Sequence, residues 1–260
     1  MREITTLQDD YIVDDESYFA DQMYVTNSML KKLLTGGTKN LEHYLNTEQK
    51  ETEAFLIGSA FHCYILEPEE FDSRYVFAPK FDRRTKVGKA GYAEFESTIG
   101  SKKAVPEYYQ GVFESLEENL SRHAEANRLL QGAKKREAIH FWEDKATGIK
   151  CKGKVDAEGE DYIVDLKSTS KRADIESFNN FLNDYTITQQ AAFYLNGTKK
   201  KNFYFIMCEL KAPFNIAIYK MSDQAIEHGE KKVEYCLELY KKIINEDYSS
   251  DLNGGEIVVI

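Results

Sequence analysis

No apolar run in these 260 residues approaches the ~18 or more that a membrane-spanning helix needs. The opening Met1-Arg2-Glu3-Ile4-Thr5-Thr6 also lacks the apolar segment of a signal peptide. A soluble, cytoplasmic protein with no membrane contact is the expectation. Cysteine is scarce: Cys63, Cys151, Cys208 and Cys236 lie far apart, and no C-x-x-C pair exists to grip zinc or an iron-sulfur cluster. Without a secretory signal, the glycosylation pattern at Asn196-Gly197-Thr198 has no physical consequence. Positive charge is in deficit, the net formal charge being −10, which argues against indiscriminate coating of nucleic acid. A local basic track is still allowed. Four prolines and 42% hydrophobic residues suit one substantial core.

Acidic residues crowd the first segment (Asp9, Asp10, Asp14, Asp15, Glu16, Asp21), which reads as a solvated arm or an assembly surface. From Thr26 to Leu34 a capping residue precedes apolar positions at helical spacing, and Gly36-Gly37 stops the helix. A second helix runs from Glu51 to Leu66, just ahead of Pro68, with His62 deep inside it. Residues 80–103 have few apolar positions, three glycines and many cations, so a long loop or partly ordered arm is expected. Pro106 then opens a helical pattern through about Leu130. Three strand-like runs follow, "REAIHFWED", "GIKCKGKVDA" and "DYIVDLK", as an antiparallel meander. Helices at about 174–183 and 186–196, two further strands and a helix from about Asp223 to Ile244 complete the chain.

The chemistry is concentrated in "CKGKVDAEGEDYIVDLKST". Strand alternation puts Asp165 and Lys167 on one face, roughly 7 Å apart along the strand. A hairpin near Gly159 brings the preceding strand alongside and can set Asp156 beside Asp165. Two carboxylates held close in a partly buried sheet need a compensating cation or proton. A hard divalent ion ligated by oxygen, Mg²⁺ above all, is the natural answer. The bland alternative is an ion pair on a sheet edge, with Asp156 merely opening a turn. His62 taken alone reads as a core histidine satisfied by a backbone carbonyl, although Gly58 one turn away leaves room for close approach of another backbone. Gln190 and Tyr194, at i and i+4, share a helix face and can reach DNA or brace Lys167; the rival reading is an ordinary amphipathic helix. Gln189 points elsewhere. Lys80, Arg83, Arg84, Lys86 and Lys89 can track a DNA backbone, with Tyr92 and Phe95 available to stack on an unpaired end, although most charge runs are only solvated loops. Glu137 is a further carboxylate whose distance from the site the sequence does not fix.

Val155-Asp156 followed by Asp165-Leu166-Lys167 resembles the PD-(D/E)XK nuclease signature, with Val155 where the signature proline often stands. "GSAFHCYILEP" resembles the upstream histidine helix of the RecB-like and RecE-like (exonuclease VIII) branch, and "QAAFY" its downstream Q-x-x-x-Y helix. "YVTNSMLKKLL" and "DRRTKVGK" resemble accessory segments of phage RecE-like proteins, so the likeness spans roughly residues 24–197.

The resemblance implies a restriction-endonuclease-like α/β fold: a central mixed sheet, beginning with the meander, flanked by helices and preceded by an N-terminal helical extension. The whole of 1–260 then forms one nuclease domain, with 1–105 as extension and basic loop and 106–260 as catalytic core. Asp156, Asp165, the Leu166 carbonyl and His62 become ligands of Mg²⁺, for which Mn²⁺ substitutes. Lys167 activates the attacking water, Gln190 and Tyr194 assist, and Arg83, Arg84, Lys86 and Lys89 bind DNA. The implied activity is exonucleolytic hydrolysis of linear double-stranded DNA, 5′ to 3′, leaving 3′ single-stranded tails for phage-type recombination. A ring-shaped homo-oligomer, a single-strand annealing partner and a bacterial or phage-infected cell are implications of the same kind. The rivals are an endonuclease of the same superfamily and a non-catalytic DNA-binding or assembly protein that keeps the fold.

Overall fold

The computed structural model describes residues 4–8 (as backbone), 18, 21, 23–48, 50–182 and 186–245. A six-stranded mixed sheet runs through it, built from β1 (Ile4–Gln8), β4 (Lys135–Asp144), β5 (Ile149–Glu158), β6 (Tyr162–Thr169), β7 (Asn202–Glu209) and β8 (Ile216–Lys220) in that spatial order. The pairs β4–β5 and β5–β6 are antiparallel, β6–β7 is parallel and β7–β8 antiparallel again. The expected meander is present, but β1 adds to its outer edge, so the first part of the chain is not purely helical. The acidic positions Asp9 to Glu16 lie outside the described residues, as do 183–185.

Helices cover both faces. On one side α2 (Glu53–Leu66), α3 (Pro68–Arg74), α5 (Tyr108–Arg122) and α6 (Ala124–Gln131) contribute Phe61, Phe71, Phe113, Leu116 and Leu129 to a core with Val164, Leu166, Ile206 and Cys208. On the other, α7 (Ile175–Leu182) and α8 (Ile187–Thr198) pack Phe178, Ala191 and Leu195 against Ile163, Phe203, Phe205 and Met207. The parallel pair β6–β7 is therefore apolar on both faces, as strands covered twice must be. A third cluster joins α1 (Asn27–Asn46), α8 and α9 (Asp223–Ile244) to Trp142, Ile149 and Cys151. At Gly229 a Cβ would stand 2.0 Å from the Thr188 carbonyl oxygen, so the absent side chain is what lets α9 approach α8.

The helix starts follow from side-chain capping: Thr26, Thr52, Thr85 and Ser222 each accept the backbone N–H three residues on. Three expectations need correction. Gly37, at φ 68°, kinks α1 but does not end it; the helix resumes to Asn46 and buries Leu41. Pro106 closes the short strand β3 (Lys103–Pro106) and does not open a helix, and the helical stretch beyond it breaks at His123 into α5 and α6. The 80–103 stretch contains α4 (Lys86–Thr98), carried between β2 (Tyr75–Ala78) and β3, which pair in parallel. Its stability comes from the Thr85 cap and from Tyr92 and Phe95, one turn apart, both packed on Phe81. No residue of α4 is buried, so its pattern lacks the apolar stripe that announces a helix.

Candidate active site and metal centre

Two irregularities of the sheet build the site. The β5–β6 ladder pairs Glu158 with Ile163 and Ala157 with Val164 and then stops; Asp156 and Asp165 would be next. In place of a ladder bond, the Leu166 amide donates to Asp156 Oδ2 at 2.7 Å. On the other side, β4 pairs Arg136 with Ala157 and Ala138 with Val155 but skips Glu137 opposite Asp156. Glu137 has φ 49°, a left-handed conformation that side-chain-bearing residues adopt at a cost of about 1–3 kcal/mol. Three carboxylates thus stand in one transverse row over β4, β5 and β6. Val155 packs under α7 and α8 while Ala157, of the same parity, packs under α2 and α5. Strict alternation therefore breaks at Asp156, and the row lies where the strand changes faces.

From one side α2 delivers His62, whose Nδ1 is 3.6 Å from Asp156 Oδ2. From the other, Gln190 of α8 donates to Asp165 Oδ1 at 2.7 Å. The Lys167 ammonium lies 2.7 Å from Asp165 Oδ2, and no other donor reaches that buried oxygen among the described residues. Lys154 pairs with Glu137 at 3.0 Å. His62, Asp156 and Lys167 keep 24%, 16% and 29% of their side chains accessible, against 5% for Asp165, so the cluster opens outward with Asp165 at its floor.

The electrostatics follow from crowding at low hydration. Burial and then the Asp156 charge push Glu137 up, against the pull of Lys154. Burial raises Asp156 despite Lys167 and the Leu166 amide. Burial lifts Asp165 to about 6, with Asp156 adding to it and Lys167 opposing. Lys167 loses hydration, which would lower it, yet the Asp165 and Asp156 charges prevail and hold it cationic. His62 is lowered by burial and by Lys167, against Asp165, Glu137 and the Leu166 carbonyl that accepts from its ring. It is therefore held neutral, the form a metal requires.

His62, Glu137 and Asp156 each offer a ligand atom, all within 4.8 Å of one another. The donor set, two carboxylates and a neutral imidazole beside the Leu166 carbonyl, suits a divalent cation. The raised carboxyls are the mark of a site short of positive charge. Asp165 is not within this trio: its oxygens turn to Lys167 and Gln190 instead. Glu137, which the sequence could not place, takes its position in the trio. The signal was not legible, because nothing in the sequence announces a left-handed glutamate within a strand.

Tyr194 stands on the same helix as Gln190, where a Cβ at Gly153 would meet its ring at 2.9 Å; burial drives its phenol well above the usual range. Gln189 turns away and donates to Asn27 Oδ1 at 3.0 Å. The close approach expected at Gly58 is absent: a Cβ there would meet only Ser168 Oγ, at an ordinary 3.8 Å. The cations of the 80–103 stretch lie apart in the β2–α4–β3 unit. Arg84 forms a two-point pair with Asp82, at 2.8 and 3.1 Å. Arg83 lies over the Tyr92 ring at 4.1 Å, and Tyr92 and Phe95 are engaged with Phe81 and not held free for bases. Lys86 and Lys89 are exposed. Among the described residues, no helix is long and apolar enough to cross a membrane.

Among solved structures, an Eubacterium rectale protein named provisionally as an exonuclease is similar over 96% of each chain, at 17% identity and a TM-score of 0.63. Looser likenesses are SSO0001 (16% identity, 87% of this chain and 88% of that one, TM-score 0.31) and LHK-Exo in complex with dAMP (13%, 86% and 92%, TM-score 0.39). No curated protein matches. Residues 26–256 match the family described as "PDDEXK-like domain of unknown function (DUF3799)". The mixed sheet, the Asp-x-Lys strand and the carboxylate row agree with that description, and together they support a nuclease, a hydrolase of phosphodiester bonds. The chain belongs to this PDDEXK-like family, within the PD-(D/E)XK superfamily.

Proposed function

We propose that the protein is a Mg²⁺-dependent exodeoxyribonuclease acting on linear double-stranded DNA, with Mn²⁺ able to replace Mg²⁺. The observation that carries this reading is the convergence of His62, Glu137 and Asp156 on one small volume, next to an ammonium 2.7 Å from Asp165. His62, Glu137, Asp156 and the Leu166 carbonyl are the groups that would hold the ion, and Asp165 would join them on turning one oxygen away from Lys167 or Gln190. A bound divalent ion supplies Lewis-acid polarisation of a phosphoryl oxygen and neutralises charge there.

The chain's own residues supply the rest. Lys167, kept cationic by two carboxylates, orients the attacking water and stabilises charge that grows on the phosphate, the preorganised electrostatics that dominates such reactions. Gln190 fixes Asp165 in the rotamer that faces Lys167 and is a positioning residue. Tyr194, wedged over Gly153, braces the helix that carries Gln190. Arg83, Arg84, Lys86 and Lys89 bind the DNA backbone, with Lys86 and Lys89 giving the larger share because Arg84 is committed to Asp82.

The likeness of the histidine and Gln/Tyr helices to RecE-like proteins supports 5′ to 3′ polarity, 3′ tails for recombination, a ring-shaped homo-oligomer, a single-strand annealing partner and action in the cytoplasm. The test is incubation with end-labelled linear duplex and with closed circular DNA, in Mg²⁺ or in chelator. Loss of linear DNA alone, and only with Mg²⁺, is expected. Cut circles identify an endonuclease, and binding without cleavage identifies a DNA-binding scaffold; either result overturns the reading.

A further inference from the structure

Beyond Lys167 the end of β6 runs into a cleft of about 680 Å³ whose residues the reaction above does not use. Helix α2 passes along this part of the strand. His62 meets the Leu166 carbonyl, Gly58 faces Ser168, and Ala54 and Ile57 continue along the cleft wall. The cleft therefore begins where the carboxylate row ends. Its lining includes the hydroxyl run Ser168-Thr169-Ser170 and the cations Lys171 and Arg172. Arg172 also pairs with Asp174 at 2.8 Å and its side chain is 80% exposed, so among the described residues of the lining Lys171 is the cation without a carboxylate beside it. The two walls come from helix layers on opposite faces of the sheet: Tyr109 of α5 packs with one core and Phe181 of α7 with the other. Both rings are only half-buried, and Tyr108 beside Tyr109 is 68% exposed.

Cations, hydroxyls and aromatic rings lining one cleft match the mixed chemistry of an unpaired polynucleotide. Its phosphates need donors, and its bases stack on rings whatever their sequence. The volume is that of a pocket enclosing a drug-sized ligand, about one or two nucleotides, and far too small for a duplex. Glu53, close enough to Tyr109 to add to burial in raising its phenol, repels phosphate and so favours a backbone near Lys171 and Arg172. The position outside the carboxyl end of a parallel strand pair is where open α/β sheets receive ligands.

We propose that this cleft is a subsite for unpaired nucleotides adjoining the scissile phosphate, so that the protein prefers DNA ends that are single-stranded or frayed on that side. The proposal rests on the nuclease reading for its substrate, but its binding test is independent of turnover. In chelator, fluorescence anisotropy compares a short labelled oligothymidylate with a blunt duplex, using wild type, Ala54→Trp, which fills the cleft from an exposed helix position, and a Lys171→Glu/Arg172→Glu double variant.

Both variants are expected to bind the oligothymidylate about 10-fold more weakly, within the range of one lost stacking or phosphate contact. Blunt-duplex affinity and the thermal midpoint are expected to stay as in wild type. In Mg²⁺, wild type should attack an end with an unpaired overhang faster than a blunt one, and both variants should lose that preference. Unchanged oligothymidylate binding in both variants, or an equal loss for the blunt duplex, overturns the proposal. If Ala54→Trp lowers the thermal midpoint, the charge-reversal pair on the exposed loop decides. Failure of wild type to hydrolyse any DNA sinks the nuclease reading alone, since the anisotropy still reports on the cleft.

Discussion

Glu137 and Asp156 face each other on β4 and β5, yet their strands skip backbone pairing at that one position, and Glu137 takes φ 49° to turn its carboxylate toward His62 and Asp156. Lys154 and Lys167 offset only part of the charge of this row, and a divalent cation held by Glu137, Asp156 and His62 would favour the strained backbone. Glu137→Gln keeps the side-chain shape and removes the charge. Calorimetric titration with Mn²⁺ is expected to show binding weakened by about 10- to 100-fold. An isotherm that superimposes on wild type would remove Glu137 from the metal centre.

Lys167 pairs with Asp165 Oδ2 at 2.7 Å, and 29% of its side chain stays open to an incoming phosphate. Lys167→Ala is expected to cut hydrolysis of linear duplex by roughly two to three orders of magnitude, the usual loss for a preorganised donor. Binding of the same duplex in chelator should change little. Near-normal turnover contradicts the water-orienting role.

Glu158 lies in a separate buried network, 2.6 Å from His140 and 3.0 Å from Lys200. Burial alone would raise its pKa, but the hydrogen bonds and charges of His140 and Lys200 overcome that and hold it at about 2. A carboxyl depressed on folding contributes stability that is complete above its unfolded pKa, near 4.5, and lost as pH falls toward 2. Glu158→Gln is therefore expected to cost on the order of 2–3 kcal/mol at pH 7 and much less at pH 2.5, as read from urea unfolding. A difference between the two proteins that does not vary with pH would show the network to be held by packing instead.

Helix α4 buries none of its residues, and Lys86 and Lys89 stand exposed on its first turn. A Lys86→Glu/Lys89→Glu variant is expected to bind duplex DNA more weakly in proportion for all sequences. The slope of log affinity against log salt should fall by about two, one for each lost phosphate contact. A slope equal to that of wild type would place the DNA elsewhere.

Much of this is legible in the sequence. The β4–β6 meander showed itself through turn-prone breaks between strand-like runs, and the Asp165-x-Lys167 spacing is a direct consequence of strand geometry. The helix carrying His62 and the one carrying Gln190 fell within a few residues of their observed bounds. What stayed hidden depends on long-range packing. Alternation implies that Val155 and Ala157 share a face, and only the displaced register at Glu137 and Asp156 sends them to opposite cores. Gly58 suggested a backbone contact that its half-open surroundings do not make. Helix α4 was unreadable because its aromatic anchor, Phe81, precedes the helix and lies outside any periodic pattern.

Lys152, 2% exposed, donates to the carbonyl oxygens of Tyr18 and Asp21, with the Tyr18 ring 4.6 Å from its ammonium. The consequence concerns trimming of the chain. A protease or an expression boundary that removed everything ahead of Val25 would strand that cation inside the protein, four residues along the same strand from Asp156. Losses ahead of Val25 would then be felt as softening of the strand that carries Asp156, without any side chain of the carboxylate row having been touched.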